Sequence, residues 1–478
     1  MLTVPRSLLL GWLVFLSGCS SFIAPDNVAI TSIDEEAGYR RMRGGMVKSY
    51  GDTAVMLAFS GGGTRAAALS YGVMQELRDS VLPTEDGSVR VLDEVDAISS
   101  VSGGSFTSAY YGLYREKLFE DFEDDFLRLG VQQALIRQLF NPMHWIRSSF
   151  SGFDRTEMAI DYYDRMIFQG ATFADLRANG PPFIDINATD LTTGLRFTFT
   201  QELFDMICTD LDEFSVARAV TASSAVPVAF PTVVLKNHAD ECEIKDTKEW
   251  QLLEEIEAQA DTEAQRDIIQ SIKSLRNVEE RPYIHLVDGG IADNLGLRAM
   301  IDRFEGAGRT SFGTDQFRES VPDNLVIILV NAEVKPDLLI EQTAAKPSVG
   351  STMSAFTSAQ MNRYNQETLD KLRDNLEAFE EITAGSGKKV NVYFSEVSFD
   401  LVKETEANRL LNSLPTSLEL EDNQVDKLIA AGRLLLRHEP QFRQFKEDNG
   451  VTVKPSAPTS KALCVTFESD GCSEQFAE

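Results

Sequence analysis

Histidine is scarce in this 478-residue chain, with four copies at positions 144, 238, 285 and 438, and cysteine is hardly commoner, with five. No Cys or His cluster has metal-ligand spacing, so a zinc or other structural metal site is not expected, and no metal or cofactor is called for. Basic residues are also short: 45 Lys and Arg stand against 74 Asp and Glu, for a formal charge of -29. A balance this acidic excludes nucleic acid as an electrostatic partner, and it equally excludes basic attraction to anionic lipid. There is no internal repeat and no Gly-Lys-Ser/Thr phosphate loop. The one notable apolar run near the N-terminus, Ser7 to Leu16, falls well short of the roughly 20 residues that span a bilayer.

That run follows Arg6 and ends at Leu16-Ser17-Gly18-Cys19. A short apolar core behind a positive charge, with a small-residue exit, is an export signal and is set aside from fold reasoning. The exit resembles the lipobox of bacterial lipoproteins. The resemblance implies cleavage before Cys19, acylation of that cysteine and, from Ser20, transfer to the outer membrane; an ordinary signal peptide is the alternative. Removing residues 1–18 takes away one Arg and no acid, which leaves 44 basic and 74 acidic residues and a charge of -30. If such a protein works at a membrane, a lipid anchor and apolar contacts must hold it there. The other cysteines number four, an even count for an exported chain. Their proximity pairs Cys208 with Cys242 and Cys464 with Cys472, unless all four are free thiols.

The polar stretch 19–51 suits a tether. From Asp52 the chain alternates strand-like and helix-like segments. Ala54–Phe59 is a continuous apolar run, as in a buried parallel strand, and a helix follows over 65–77. A second strand is read at Val95–Val101 with a helix over 105–118. Further strands are read at Phe183–Thr189, Leu195–Thr200, Tyr283–Val287, Leu325–Val330 and Val390–Phe394. Helices are read at 216–224, 295–304 and 424–437. Residues 119–180 and 240–280 form helical insertions, the second with a capping box at Thr262–Gln265. The sum is an α/β fold with a mainly parallel central sheet flanked by helices. A catalytic domain is expected over 52–335 and an α/β extension over 336–478, whose last 25 residues look like a poorly packed tail.

Three motifs fall at strand ends. Gly61-Gly62-Gly63-Thr64-Arg65 lies between the first strand and helix, where glycines let amide N–H groups converge beside a helix N-terminus, a nest for a phosphate or an oxyanion. Ser100-Val101-Ser102-Gly103-Gly104 is close to the G-x-S-x-G nucleophile elbow, with Ser100 at the first glycine position. Positions two residues from the nucleophile must be small because they crowd each other in the turn. Asp288-Gly289-Gly290 puts a carboxylate at the end of another strand, on the sheet edge where open α/β sheets hold their sites. The histidines have no such setting: His285 lies inside the strand before Asp288, and His144, His238 and His438 carry no catalytic signature.

In this order the three blocks resemble the patatin-like phospholipase family, over roughly residues 52–300, and Ile186–Asp190 and Ala222–Pro227 look like further family blocks. The resemblance implies a three-layer α/β fold and a serine lipid acyl hydrolase with a Ser–Asp dyad. Ser102 would be the nucleophile and Asp288 its base. Gly61, Gly62, Gly63 and Arg65 would form the oxyanion hole, with Ser100 and Gly104 shaping the elbow. It implies no cofactor and no calcium. Ser100 and Ala66 depart from the usual glycines, which bears on efficiency. Two readings stay open beside it: a catalytically weak lipid-binding envelope lipoprotein, and an esterase or thioesterase for short soluble acyl chains. Large apolar residues in the first insertion, among them Trp145 and Phe150, suggest either a lid that meets lipid or ordinary core.

Overall fold

The computed structural model describes residues 27–41, 52–85, 87–131, 133, 155–226, 231–260, 262–306, 321–334, 344, 346–385, 387–468 and 470–476. Cys19 and the segment holding Trp145 and Phe150 lie outside the described residues.

The strands are β1 (Thr53–Phe59), β2 (Ser80–Thr84), β3 (Gly87–Arg90), β4 (Val95–Val101), β5 (Phe183–Asp190), β6 (Arg196–Thr198), β7 (Val233–Lys236), β8 (Tyr283–Asp288), β9 (Asn324–Asn331), β10 (Asn391–Ser398) and β11 (Thr452–Val453). Eight of them make one sheet in the order β10-β9-β1-β4-β5-β8-β7, with β6 beside β5. The first five in that order run parallel. β6 and β8 both lie antiparallel to β5, and β7 antiparallel to β8. The expectation of a mainly parallel α/β sheet therefore holds, with an antiparallel flank. β2, β3 and β11 form a small separate sheet.

Eight helices matter here: α1 (Thr64–Asp79), α2 (Gly103–Tyr114), α3 (Val216–Ser223), α4 (Glu263–Ser274), α5 (Gly290–Asp293), α6 (Arg298–Gly306), α7 (Val349–Gly385) and α8 (Asp422–His438). Alternate side chains of the central strands divide between two cores. Val55, Leu57 and Phe59 of β1 and Val326, Ile328 and Val330 of β9 pack with α1, α2 and α8. Ala54, Met56 and Ala58 with Leu325, Ile327 and Leu329 pack with α6 and α7 on the other face. That two-sided burial is why both strands read as unbroken apolar runs. At the sheet edge, β10 alternates between buried and partly exposed residues.

Several expectations need correcting. Residues 27–41 are a packed strap rather than tether: Tyr39 is fully buried, and the buried Arg40 pairs with Asp205 at 2.7 Å. The helix expected over 295–304 starts only at Arg298, as α6, because Leu295 and Leu297 are buried in the turn before it and Gly296 takes a positive φ of 71°; the short α5 precedes that turn. The C-terminal tail is packed, with Leu463 and Phe476 in the main core and the disulfide Cys464–Cys472 beside them. Cys208 and Cys242 form the second disulfide. The described flanks of the first insertion are core: Phe106 of α2 stacks on Phe126 at 4.2 Å and meets Tyr163 edge-on at 5.0 Å. The capping box at Thr262 is present at the start of α4.

Residues 336–478 complete the same sheet and wrap back onto α1 through α8. The two helices touch through glycine: a Cβ on Gly72 would stand 2.2 Å from the Ile429 carbonyl oxygen, and one on Gly432 2.3 Å from that of Leu69. Close contact brings Glu76, fully buried, against Arg437, which grips both carboxylate oxygens at 2.8 Å. Asp79 holds Arg433 at 2.6 Å. Glu76→Ala takes the carboxylate from the buried Arg437 while Arg433 keeps Asp79, so it should cost about 3–5 kcal/mol of stability, read as a drop in urea midpoint. A change below about 1 kcal/mol would mean that α8 does not depend on the pair.

Candidate active site

β4 ends at Val101 and α2 begins at Gly103, so Ser102 alone makes the turn. Its backbone sits at φ 51° and ψ -120°, a conformation that an L-residue adopts only when its surroundings enforce it, at about 1–3 kcal/mol. The enforcement is visible. The Ser102 N–H donates to Ser223 Oγ at 2.9 Å, and Ser223 Oγ donates to the Asn187 carbonyl at 2.6 Å, tying the elbow to the end of α3 and to β5. Asn187 Nδ2 donates in turn to the Ser100 carbonyl at 3.0 Å.

Small neighbours are required by contact. A Cβ on Gly104 would lie 2.7 Å from Phe59 Cβ, and one on Gly103 would lie 1.9 Å from the Gly63 carbonyl oxygen. Ser100 is accommodated in place of glycine because its hydroxyl is fully used. It donates to the Asp185 carbonyl at 3.1 Å and accepts from Ser108 Oγ at 2.7 Å.

Asp288 reaches Ser102 by register. Val101 pairs with Asn187, and Ala188, the next residue of β5, pairs with Asp288. Ser102 and Asp288 therefore fall at one level on either side of Ala188. The sequence reading placed Asp288 where a strand reaches the catalytic edge. In fact β8 is antiparallel to β5 and enters from beyond that edge, ending where it meets the elbow. The Asp288 carboxylate accepts the Gly290 N–H at 2.8 Å and interacts with the Ser102 hydroxyl. Burial pushes its pKa up from 3.8 to about 6, and those two donors only partly offset the rise. A carboxyl poised near neutrality beside a serine hydroxyl is suited to take its proton.

The glycine loop closes the third side. Gly61 is pressed against the nucleophile, since a Cβ there would lie 3.4 Å from Ser102 Cβ and 2.6 Å from Asn294 Oδ1. Its N–H is spent on the Asn294 carbonyl at 2.9 Å, so Gly61 shapes the loop and does not offer a free donor. The Gly62 and Gly63 amides have no partner among the described residues, and these residues take φ of 142° and 61°. Arg65 does not face the oxyanion position. Its guanidinium is buried and donates to the carbonyls of Ala332 at 2.9 Å and Leu414 at 2.7 Å and to Thr416 Oγ1 at 3.0 Å. It fastens the loop to β9 and the C-terminal segment, as the Thr64 N–H does by donating to the Ser417 carbonyl at 2.8 Å.

Sequence reasoning assigned no role to Ser223, Asn187 or Asn294. The first two lie in stretches it had marked, and Asn294 is a buried amide four residues past Gly290. The Leu414–Ser417 contribution carried no local signal. The histidines are elsewhere: His285 meets Thr232 Oγ1 at 3.1 Å, His238 meets Glu241 at 2.7 Å and His438 meets Ser460 at 3.0 Å. His144 lies outside the described residues.

A strained serine between a strand and a helix, at the edge of a mostly parallel sheet and beside a glycine loop, is the arrangement of the serine hydrolase class of α/β proteins. The sequence model of the patatin-like phospholipase family matches residues 57–301, half of the chain. The chain belongs to that family of lipid acyl hydrolases. No curated protein matches the sequence. Among solved structures, human GIVD cytosolic phospholipase A2 is similar at 12% identity with a TM-score of 0.34. The alignment covers 57% of this chain and 45% of that one, so this chain spans less than half of that protein.

Proposed function

We propose that this protein is a serine lipid acyl hydrolase of phospholipase A or lysophospholipase type. It would cleave carboxylic esters of membrane lipids through a Ser102–Asp288 dyad. The observation that carries the reading is the strained Ser102 turn whose hydroxyl meets a buried carboxyl with a pKa raised to about 6. In the first half-reaction Asp288 takes the Ser102 proton while Oγ bonds to the ester carbonyl carbon. The oxyanion forms beside the Gly62 and Gly63 amides, each such donor contributing about 3–4 kcal/mol. Collapse breaks the ester C–O bond, and the departing lyso-lipid or alcohol takes the proton back from Asp288. Water, deprotonated by the same carboxylate, then hydrolyses the acyl-serine and returns its proton to Ser102.

The reading extends to location. With Cys19 acylated after loss of residues 1–18, the protein would be held by its lipid in a bacterial envelope, in the outer membrane as Ser20 suggests. Among the described residues, no helix is long and apolar enough to cross a membrane.

The test is labelling with a fluorophosphonate probe and mapping of the adduct by mass spectrometry. The expected adduct is on Ser102, absent in Ser102→Ala and strongly reduced in Asp288→Asn. An adduct on another serine, or labelling that persists in well-folded Ser102→Ala, would overturn the assignment of the nucleophile.

A further inference from the structure

The strap at residues 27–41 fixes where the N-terminus leaves the fold. At one end Asn27 grips the last residue of β7: Nδ2 donates to the Lys236 carbonyl at 2.9 Å and Oδ1 accepts the Lys236 N–H at 2.9 Å. At the other end the Tyr39 hydroxyl is locked on Ile184 of β5, accepting its N–H at 2.7 Å and donating to its carbonyl at 3.2 Å. Arg41 pairs with Asp185 beside it.

Strand register converts these contacts into a direction. Ser102 and Asp288 lie at the level of Ala188, and Ile184 is four residues inward of that level along β5. Lys236 pairs with Tyr283, five residues of β8 outward of Asp288, on the side toward which the parallel strands end. At about 3.3 Å per residue the strap begins up to about 17 Å outside the catalytic level and ends about 13 Å inside it. Asn27, the first described residue, therefore stands on the catalytic side.

Eight Cα steps separate Cys19 from Asn27. Even fully extended they reach no more than about 29 Å. Val28, Leu191 and Tyr283, exposed apolar side chains, belong to this outer rim: Val28 follows Asn27, Leu191 donates its N–H to the His285 carbonyl at 2.9 Å, and Tyr283 pairs with Lys236. A protein of net charge -29 needs such contacts to approach lipid.

We propose that the short anchor turns the catalytic edge toward the membrane that holds it, so that the enzyme hydrolyses lipids of its own leaflet. The inference rests on the lipid-anchored hydrolase reading above. It assigns the substrate by position: the neighbouring bilayer lipids, in preference to lipids delivered from another membrane.

The experiment compares two anchoring points on the full chain. One sample is the acylated protein as isolated. The other is the same mature chain begun at Ser20, without Cys19, carrying Ser88→Cys coupled to a maleimide lipid on the exposed β2–β3 hairpin. That hairpin follows the 16-residue α1, whose length of about 24 Å carries the chain away from the catalytic edge. Both are placed in vesicles of phosphatidylethanolamine and phosphatidylglycerol, mixed with protein-free vesicles whose lipids bear a second fluorophore. A short-chain nitrophenyl ester reports the chemistry alone.

The Cys19-anchored form should cleave host-vesicle lipid at least about tenfold faster than the Ser88-anchored form, and faster than lipid of the second vesicles, while both forms cleave the soluble ester equally. Equal host-vesicle rates for the two anchors would overturn the orientation and leave the hydrolase and the anchor standing. A mass spectrum without an acyl group on Cys19, or no cleavage of the soluble ester, would overturn the inference through its premise, and each is read separately.

Discussion

Ser102→Ala should lower kcat on a soluble ester by about four orders of magnitude or more, because the acyl-enzyme can no longer form. Asp288→Asn should lose nearly as much, since the hydroxyl keeps a neighbour that cannot accept its proton. The wild type should lose kcat/KM about tenfold per pH unit as pH falls below about 6, where Asp288 becomes protonated.

The two variants should part company in stability. The folded pKa of Asp288, about 6, lies above its ordinary 3.8, so the folded state binds this proton more tightly than the unfolded chain does. Holding the carboxylate charged therefore costs stability above pH 6, and the cost fades as pH falls toward 3.8. A shift of about two units corresponds to roughly 3 kcal/mol. Asp288→Asn should accordingly melt higher than wild type at pH 8, with the difference shrinking toward pH 4, whereas Ser102→Ala should show no such pH-dependent gain. Wild-type turnover by either variant, or a melting difference for Asp288→Asn that grows on acidification, would remove the dyad from the account.

Gly103→Ala should be the most damaging single methyl group near the site. The added Cβ would stand 1.9 Å from the Gly63 carbonyl oxygen and 2.6 Å from its carbon, and a backbone atom cannot swing aside as a side chain can. The elbow and the glycine loop must separate, displacing the Gly63 amide from the nucleophile. A displacement near 1 Å is expected to cost about a hundredfold in kcat. Overpacking should cost about 3 kcal/mol in stability. Ser108→Ala, which removes the hydrogen bonds of one hydroxyl to Ser100 Oγ and the Ser105 carbonyl and adds no atom, is the control and should cost about 1 kcal/mol with turnover little changed. If Gly103→Ala keeps both its activity and its melting temperature, the close approach of elbow and loop is not needed.

Legibility followed burial. β1 and β9 are fully buried along their lengths and were readable as apolar runs to within about a residue at each end; β4, equally buried but carrying Asp96, Ser99 and Ser100, was readable as a strand before the elbow. β7, with four residues and a partly exposed pattern, and the β2–β3 hairpin carried too little apolar signal to stand out. α7, 37 residues long, was missed although Leu369, Leu372, Leu376 and Phe379 bury one face at helical spacing. Its first half is polar and hides the pattern. Residues 27–41 look like tether because their charges suggest solvent, but Arg40 and Arg41 spend them on Asp205 and Asp185.

The sequence by itself determined the local chemistry. Ser102 between a buried strand and a helix, Gly61–Gly63 after β1 and Asp288 before two glycines are recognisable because crowded backbone tolerates only small residues within a few positions of each turn. Tertiary structure alone decided how those pieces meet. The antiparallel entry of β8 brings Asp288 level with Ser102, Ser223 and Asn187 hold the strained turn, and Leu414–Ser417 fasten a loop some 350 residues earlier in the chain. Strand direction is set by backbone N–H and C=O groups, which every residue carries alike, and each clasp joins a side chain to a backbone group far away in sequence, so no local side-chain pattern could announce either.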